Sequence, residues 1–273
     1  MSYTSAFKGI RPSPVFFGLL GATALGGALA WVGEPGGALG RLGAFVFIFG
    51  GWLTTLCLHE FGHAFAAWRF GDHDVALKGY LDLDIRRYTD PLNSLVIPMV
   101  IILIGGIGLP GAAVYLDTQW MSKKQRTIIS LAGPAANLIA AVLLLAAGAA
   151  GLASLTWFEW DGPGGGGVVQ SGHLVFWAAV EFLGFLQVFA VVINLLPVPG
   201  LDGYGAIEPW LSYETQRKLY PVRQWGFLVL FMILLLPNPI GAEIRGLILG
   251  VFDLLGGDHD FAGIGRRLAM PWQ

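Results

Sequence analysis

The sequence predicts an all-α polytopic membrane protein. About five or six transmembrane helices are expected, with a broken re-entrant hairpin at about 94–116 and a short β segment at about 76–87. Three observations carry that reading. Of 273 residues, 55% are hydrophobic and only 12% are charged, about half the ~25% typical of soluble domains. Several apolar runs reach the ~20 residues that a helix needs to cross hydrocarbon. No polar run is long enough to enclose a core of its own, so residues 1–273 read as a single membrane domain with its functional core at about 42–205. The net charge of -2 is silent on nucleic acid, but no basic stripe exists to bind it, so none is expected as a partner. A single cysteine, Cys57, excludes an internal disulfide framework.

In chain order, residues 15–33 form the first apolar run, preceded by Lys8 and Arg11. Ala28-Leu29-Ala30 resembles a signal-peptide cleavage site, but the run is long for a signal, so a retained first helix is expected. Residues 42–68, 127–153 and 174–197 give three more helices. Another starts at 222–237 and is interrupted by Pro237 and Pro239 before a further apolar run, 240–256. Trp31, Trp68, Trp157 and Trp160 fall near helix ends, as an aromatic belt requires. In residues 76–87, Leu81, Leu83 and Ile85 alternate with Asp82, Asp84 and Arg86, the period of two of a strand with one apolar face.

The segment 94–116 has the length of a span but holds Pro98, Gly105, Gly106, Gly108 and Pro110. Short cytoplasmic loops collect Lys and Arg. Lys8 and Arg11 therefore place the N-terminus inside, and the loop bearing Arg69, Lys78, Arg86 and Arg87 is cytoplasmic. A full crossing by 94–116 would put Lys123, Lys124 and Arg126 outside, and the acidic 152–172 loop inside. Letting 94–116 enter and return repairs every loop at once. Irregular backbone at membrane depth is tolerated beside protein or a water-filled cavity, so a re-entrant hairpin beside a polar cavity is expected.

Residues 54–67, TLCLHEFGHAFAAW, set ionisable groups within an apolar helix, where each costs at least ~2.5 kcal/mol and is usually functional. His59 and His63 are four apart, so a helix stacks them on one face where both imidazoles can grip one zinc ion. Glu60 beside them can act on zinc-activated water. Cys57 lies ~200° around the helix from His59 and reads as a packed apolar residue. His73, His173 and His259 fall in a loop, at a helix start and in the tail, and read as solvated or locally bonded. A catalytic zinc takes three protein ligands and leaves a position open. Asp202, in NLLPVPGLDG at 194–203, follows Pro197, Pro199 and Gly200. Alone it would read as an N-cap aspartate in a helix-ending turn. The topology brings it to the same membrane face as the histidines, which makes it the expected third ligand. One zinc ion per chain would cancel the charge of Glu60 and Asp202 at a low-dielectric site.

The motifs HEFGH (59–63), GPAAN (133–137) and NLLPVPGLDG (194–203) resemble, in order, those of the site-2 proteases, intramembrane zinc metalloproteases. The resemblance covers about residues 42–240. Gly71-Asp72 and DPLNSLVIP (90–98) resemble a compact subgroup without an extra sensor domain. It implies His59, His63 and Asp202 as zinc ligands, Glu60 as general base, and Asn194 as a catalytic residue holding substrate or oxyanion. Gly133, Pro134 and Asn137 read as packing and cavity lining. Glu60 would then take a proton from zinc-activated water and hand it to the leaving amine. From His63 to Arg69 is six residues, about 9 Å of helix, which places the site shallowly on the cytoplasmic side. The expected partners are the lipid bilayer and a single-pass transmembrane substrate in regulated intramembrane proteolysis, the edge of the 80–86 strand receiving its unwound chain. A prokaryotic plasma membrane is the expected location. The competing functions are a membrane metal-binding or transport protein and a non-proteolytic zinc scaffold.

Overall fold

The computed structural model describes residues 10–88, 116–153, 156–160, 166–171 and 173–270. Among the described residues, four helices are long and apolar enough to cross a membrane: α1 (Pro14–Val32), α2 (Ala38–Arg69), α5 (Lys123–Leu152) and α6 (Leu174–Leu195). Short helices α3 (Asp74–Leu77) and α4 (Ile85–Tyr88) follow α2, and α7 (Asp202–Ile207) and α8 (Tyr213–Leu219) follow α6. The chain then forms α9 (Arg223–Leu235), α10 (Pro239–Leu254) and α11 (His259–Ala269). Strands β1 (Thr156–Trp160) and β2 (Gly166–Ser171) pair antiparallel, Trp157 opposite Val169, where the sequence suggested only a loop.

The expected spans are found with shifted ends, and among the described residues they number four, or up to five. The fifth would join Leu228–Leu235 to Pro239–Leu254, two pieces meeting at 88°. Pro237 and Pro239 supply no N–H to a continuing helix, and neither α9 at 13 residues nor α10 at 16 reaches the length of a span. The re-entrant hairpin reading, at 94–116, falls almost wholly outside the described residues.

The β segment expected at 76–87 is absent. Leu81 and Leu83 are buried as its alternation requires, but in turns. Gly79 and Leu83 take positive φ, 74° and 53°, which no strand accommodates. The Asp84 carboxylate accepts from the Arg86 backbone N–H at 3.1 Å and from Arg86 Nε at 2.9 Å, so side chain and backbone close a local turn instead of a ladder. With the strand goes the substrate-pairing edge expected at 80–86.

The chain divides into two compact units. The first holds residues 1–17, 54–139 and 188–250. In it the Ser13 hydroxyl caps α1 by accepting from Phe16 N–H at 3.2 Å, and Ser13 N–H donates to the Asp82 carbonyl at 2.7 Å. The second holds 18–53, 140–187 and 251–273. There His173 stacks on Trp31 and pairs with its carbonyl at 2.6 Å, and Phe252 packs edge-on against Phe185.

Candidate metal centre

The centre lies within the first unit. Three elements supply it: α2 carries His59 and His63, Asp202 begins α7, and α5 presents Gly133 and Asn137. α2 ends at Arg69, and Gly71, two residues on at φ 111°, turns the chain so that Asp72 N–H can return to the Ala67 carbonyl. At the end of α6, Pro197 and Pro199 stop the helix, and the chain re-enters helical geometry at Asp202 after an extended Leu201 that makes no side-chain cap.

His59 and His63 are 7% and 6% exposed, and Glu60 between them 4%. Their Nε2 atoms stand 3.2 Å apart. Asp202 Oδ2 is 3.2 Å from His59 Nε2, and Oδ1 is 3.3 Å from His63 Nε2. Among the described residues this is the group of three whose donor atoms could hold a metal ion. His73 is exposed ahead of α3, His173 pairs with Trp31, and His259 pairs with Asp253. Cys57 is fully buried and outside the group, as its helical angle implies. Asn194 is half-buried in the last turn of α6 and also lies outside the group.

The other imidazole nitrogens fix the protonation. His63 Nδ1 donates to the Ile129 carbonyl at 2.7 Å, and His59 Nδ1 donates to Asn137 Oδ1. A carbonyl oxygen can only accept, so each Nδ1 carries a proton and Nε2 is the nitrogen each ring has left for a metal. The two Nε2 atoms and the Asp202 carboxylate crowd together in a low-dielectric interior, and buried Asp202 Oδ2 accepts no hydrogen bond. A single cation among them would satisfy all three groups. Nitrogen and oxygen ligands about 2.0–2.1 Å from a tetrahedral zinc stand about 3.3 Å from each other, close to the separation of the two Nε2 atoms and of each from its nearer Asp202 oxygen, Oδ2 for His59 and Oδ1 for His63. The residues fit zinc.

Gly133 completes the fit. A Cβ built there would overlap His63 Nε2 and come within 2.7 Å of His59 Nε2. Only a residue without a side chain leaves room before both nitrogens. One turn away in sequence, Gly62 lets α2 approach the α5 backbone, where a Cβ would stand 2.7 Å from the Ala132 carbonyl. Pro134 lacks the N–H that the Ser130 carbonyl would take and crowds that turn; the adjoining Ile129 carbonyl serves His63.

The sequence reading placed Asn137 in the packing, and the structure places it behind a candidate ligand. Its signal was available: an amide alone in the apolar stretch LAGPAANLIAAVLLLAAG, four residues after Gly133 and so on the same helical face.

Helices long and apolar enough to span a membrane, together with a His–His–Asp group beside a buried glutamate, define a membrane-embedded protein of the metal-dependent hydrolase kind. The comparisons agree. The chain is 51% identical, over all 273 of its residues and 98% of the relative, to "Putative zinc metalloprotease Rip2" of Mycobacterium tuberculosis. It is 49% identical over 266 residues, 97% of this chain and 96% of the relative, to the protein of the same name from Mycolicibacterium smegmatis. A more distant relative, YwhC of Bacillus subtilis, also named for zinc metalloprotease activity, is 28% identical over 198 residues, 70% of this chain and 80% of the relative. No family model and no solved structure matches the chain. The chain belongs to the site-2 protease family.

Proposed function

We propose that this protein is an intramembrane zinc metalloprotease that hydrolyses a peptide bond within or near a transmembrane segment of a membrane-protein substrate. The observation that carries this reading is the pair of His59 and His63 Nε2 atoms 3.2 Å apart, each facing one oxygen of Asp202 at 3.2 or 3.3 Å, with both Nδ1 protons committed elsewhere and Glu60 buried beside them. His59, His63 and Asp202 would hold the ion. When bound, zinc supplies a Lewis acid that acidifies water and polarises the scissile carbonyl.

The chain's own residues do the rest. Asn137 and the Ile129 carbonyl hold the imidazoles in the tautomer that binds metal. Glu60, next to a ligand and not one of the three, is the general base: it accepts the proton of the attacking water and returns it to the leaving amine. Asn194, at the end of α6, is the candidate for holding the substrate backbone. The apolar shell of α2 and α5 keeps bulk water from the site, which strengthens each of these interactions.

The site sits near the Arg69 end of α2, six residues or about 9 Å from His63. The Lys and Arg distribution makes that end cytoplasmic, in a prokaryotic plasma membrane. The substrate is a single-pass protein of the same bilayer, cut in regulated intramembrane proteolysis.

Replacing Glu60 by Gln separates this reading from its competitors. The purified Glu60→Gln chain in lipid vesicles should retain about one zinc, yet cleave a co-reconstituted panel of single-pass segments 10²–10⁴-fold more slowly than the wild type. Unchanged cleavage by Glu60→Gln would remove the base, and zinc flux across vesicles by either protein would favour a transporter.

A further inference from the structure

Asp202 reaches the histidines from the start of a helix of only six residues, α7. Such a helix has too few internal bonds to hold its own orientation. Its N-cap, Leu201, offers no side-chain bond, and within the backbone Gly205 N–H returns to the Leu201 carbonyl at 3.1 Å. Something else must keep the carboxylate 3.2–3.3 Å from two nitrogens on another helix.

The N-terminal half of α5 does so. Thr127 Oγ1 donates to the Ala206 carbonyl at 2.7 Å, one turn beyond Asp202, and accepts from Trp210 Nε1–H at 2.9 Å. Lys123 lies over the Trp210 ring at 5.7 Å, and Arg126 reaches Glu208 at 3.6 Å. Below them, Ser130 abuts Gly205 so closely that a Cβ on Gly205 would stand 2.7 Å from Ser130 Oγ. Lys123, Thr127, Ser130, Gly133 and Asn137 are spaced by four, three, three and four, so they form a single stripe on α5. The upper part of that stripe holds the segment carrying Asp202. Its lower part faces the imidazoles, through Gly133 and the Asn137 bond to His59. One helix therefore touches every element that brings a donor to the centre.

We propose that this stripe of α5 sets the spacing of the metal centre, and that Thr127 is a positioning residue which holds Asp202 in register with His59 and His63 through Ala206 and Trp210. The proposal rests on the reading of Asp202 as a zinc ligand. Its hydroxyl works both as donor and as acceptor, which valine cannot imitate at nearly the same volume and serine can. The pair Thr127–Trp210 also fastens the ligand-bearing segment where it leaves the apolar part of the chain, so the same bond that orients Asp202 stops α7 from fraying.

The full chain, purified in detergent, tests this without any substrate. Thr127→Val, Thr127→Ser, Trp210→Phe and Asp202→Asn are loaded with Co²⁺ for visible absorption and titrated with zinc against a competing chelator. Thr127→Val should weaken zinc about 10-fold, the lower end of the loss seen when a partner of a metal ligand is removed, and should change the cobalt ligand-field bands. Thr127→Ser should restore both. Trp210→Phe should move both in the same direction as Thr127→Val, and it decides the matter if Thr127→Val does not fold. Wild-type zinc affinity and cobalt bands in Thr127→Val, or in a folded Trp210→Phe standing in for it, overturn the positioning role while Asp202→Asn still loses metal. Wild-type affinity and bands in Asp202→Asn instead overturn the ligand reading itself.

Discussion

Gly133 has no side chain because the space one would fill lies directly before His63 Nε2 and 2.7 Å from His59 Nε2. Two effects of Gly133→Ala therefore oppose each other. Within a helix, alanine is favoured over glycine by about 1 kcal/mol, so α5 itself should gain. The added methyl, however, overlaps the buried His63 ring and would fill the space before both Nε2 atoms where an ion would be held, so the imidazoles must leave their Ile129 and Asn137 partners. The expected outcome is a metal-free melting midpoint at or below that of the wild type, with less than a tenth of the wild-type zinc co-purifying by elemental analysis. Full zinc content in Gly133→Ala would show that the histidines turn away from this pocket. The same residue marks a limit of reading from sequence. HEFGH declares its chemistry because the spacing of two imidazoles is set by the helix alone. What Gly133 and Asn137 do depends on which face of a second helix meets the first, and a local pattern does not contain that.

Among the elements, α3 and α4 show why alternation misled. Leu81, Leu83 and Ile85 alternate with polar residues, and Leu81 and Leu83 are buried, but a period of two becomes a strand only where a neighbour completes the ladder. Here Asp84 takes the donors of its own segment. The hydrogen bond from Arg86 holds the Asp84 carboxyl below the usual carboxylate range. A carboxyl depressed in the folded state adds stability that is present above its unfolded pKa, ~3.9, and is lost as pH falls through the lower folded value. Asp84→Asn should therefore melt below the wild type at pH 6 in detergent, and the gap should narrow towards pH 3. A gap of equal size at both pH values would mean that the turn does not depend on the charge. Long apolar helices were legible for the opposite reason. Their period and length answer to the solvent rather than to a partner, so α1, α2, α5 and α6 appear where hydropathy put them. The proline break between α9 and α10 was legible too, but not its 88° bend, which composition does not encode.

For the whole molecule, the centre constrains how the chain threads the membrane. His63 is six residues from the end of α2, and Ile129 is six residues after the start of α5, yet they share a hydrogen bond of 2.7 Å. The C-terminal end of α2 and the N-terminal end of α5 therefore lie at the same level. The chain leaves α2 after Arg69 and enters α5 at Lys123, so these two ends stand on one side of a membrane that both helices span. A common side agrees with the cytoplasmic reading of Lys78, Arg86, Arg87, Lys123 and Lys124 from the sequence. Labelling tests this directly, and the native cysteine helps, because Cys57 is fully buried and should stay silent. Cysteines placed one at a time at Lys78 and at Trp120, which is 86% exposed, should react with a membrane-impermeant maleimide in inside-out vesicles and not in right-side-out ones. A cysteine at the exposed Gly36, before the opposite end of the 32-residue α2, should show the reverse. If Lys78 and Trp120 positions label from different sides, the chain crosses between them an odd number of times, and the meeting of His63 with Ile129 cannot hold in the membrane.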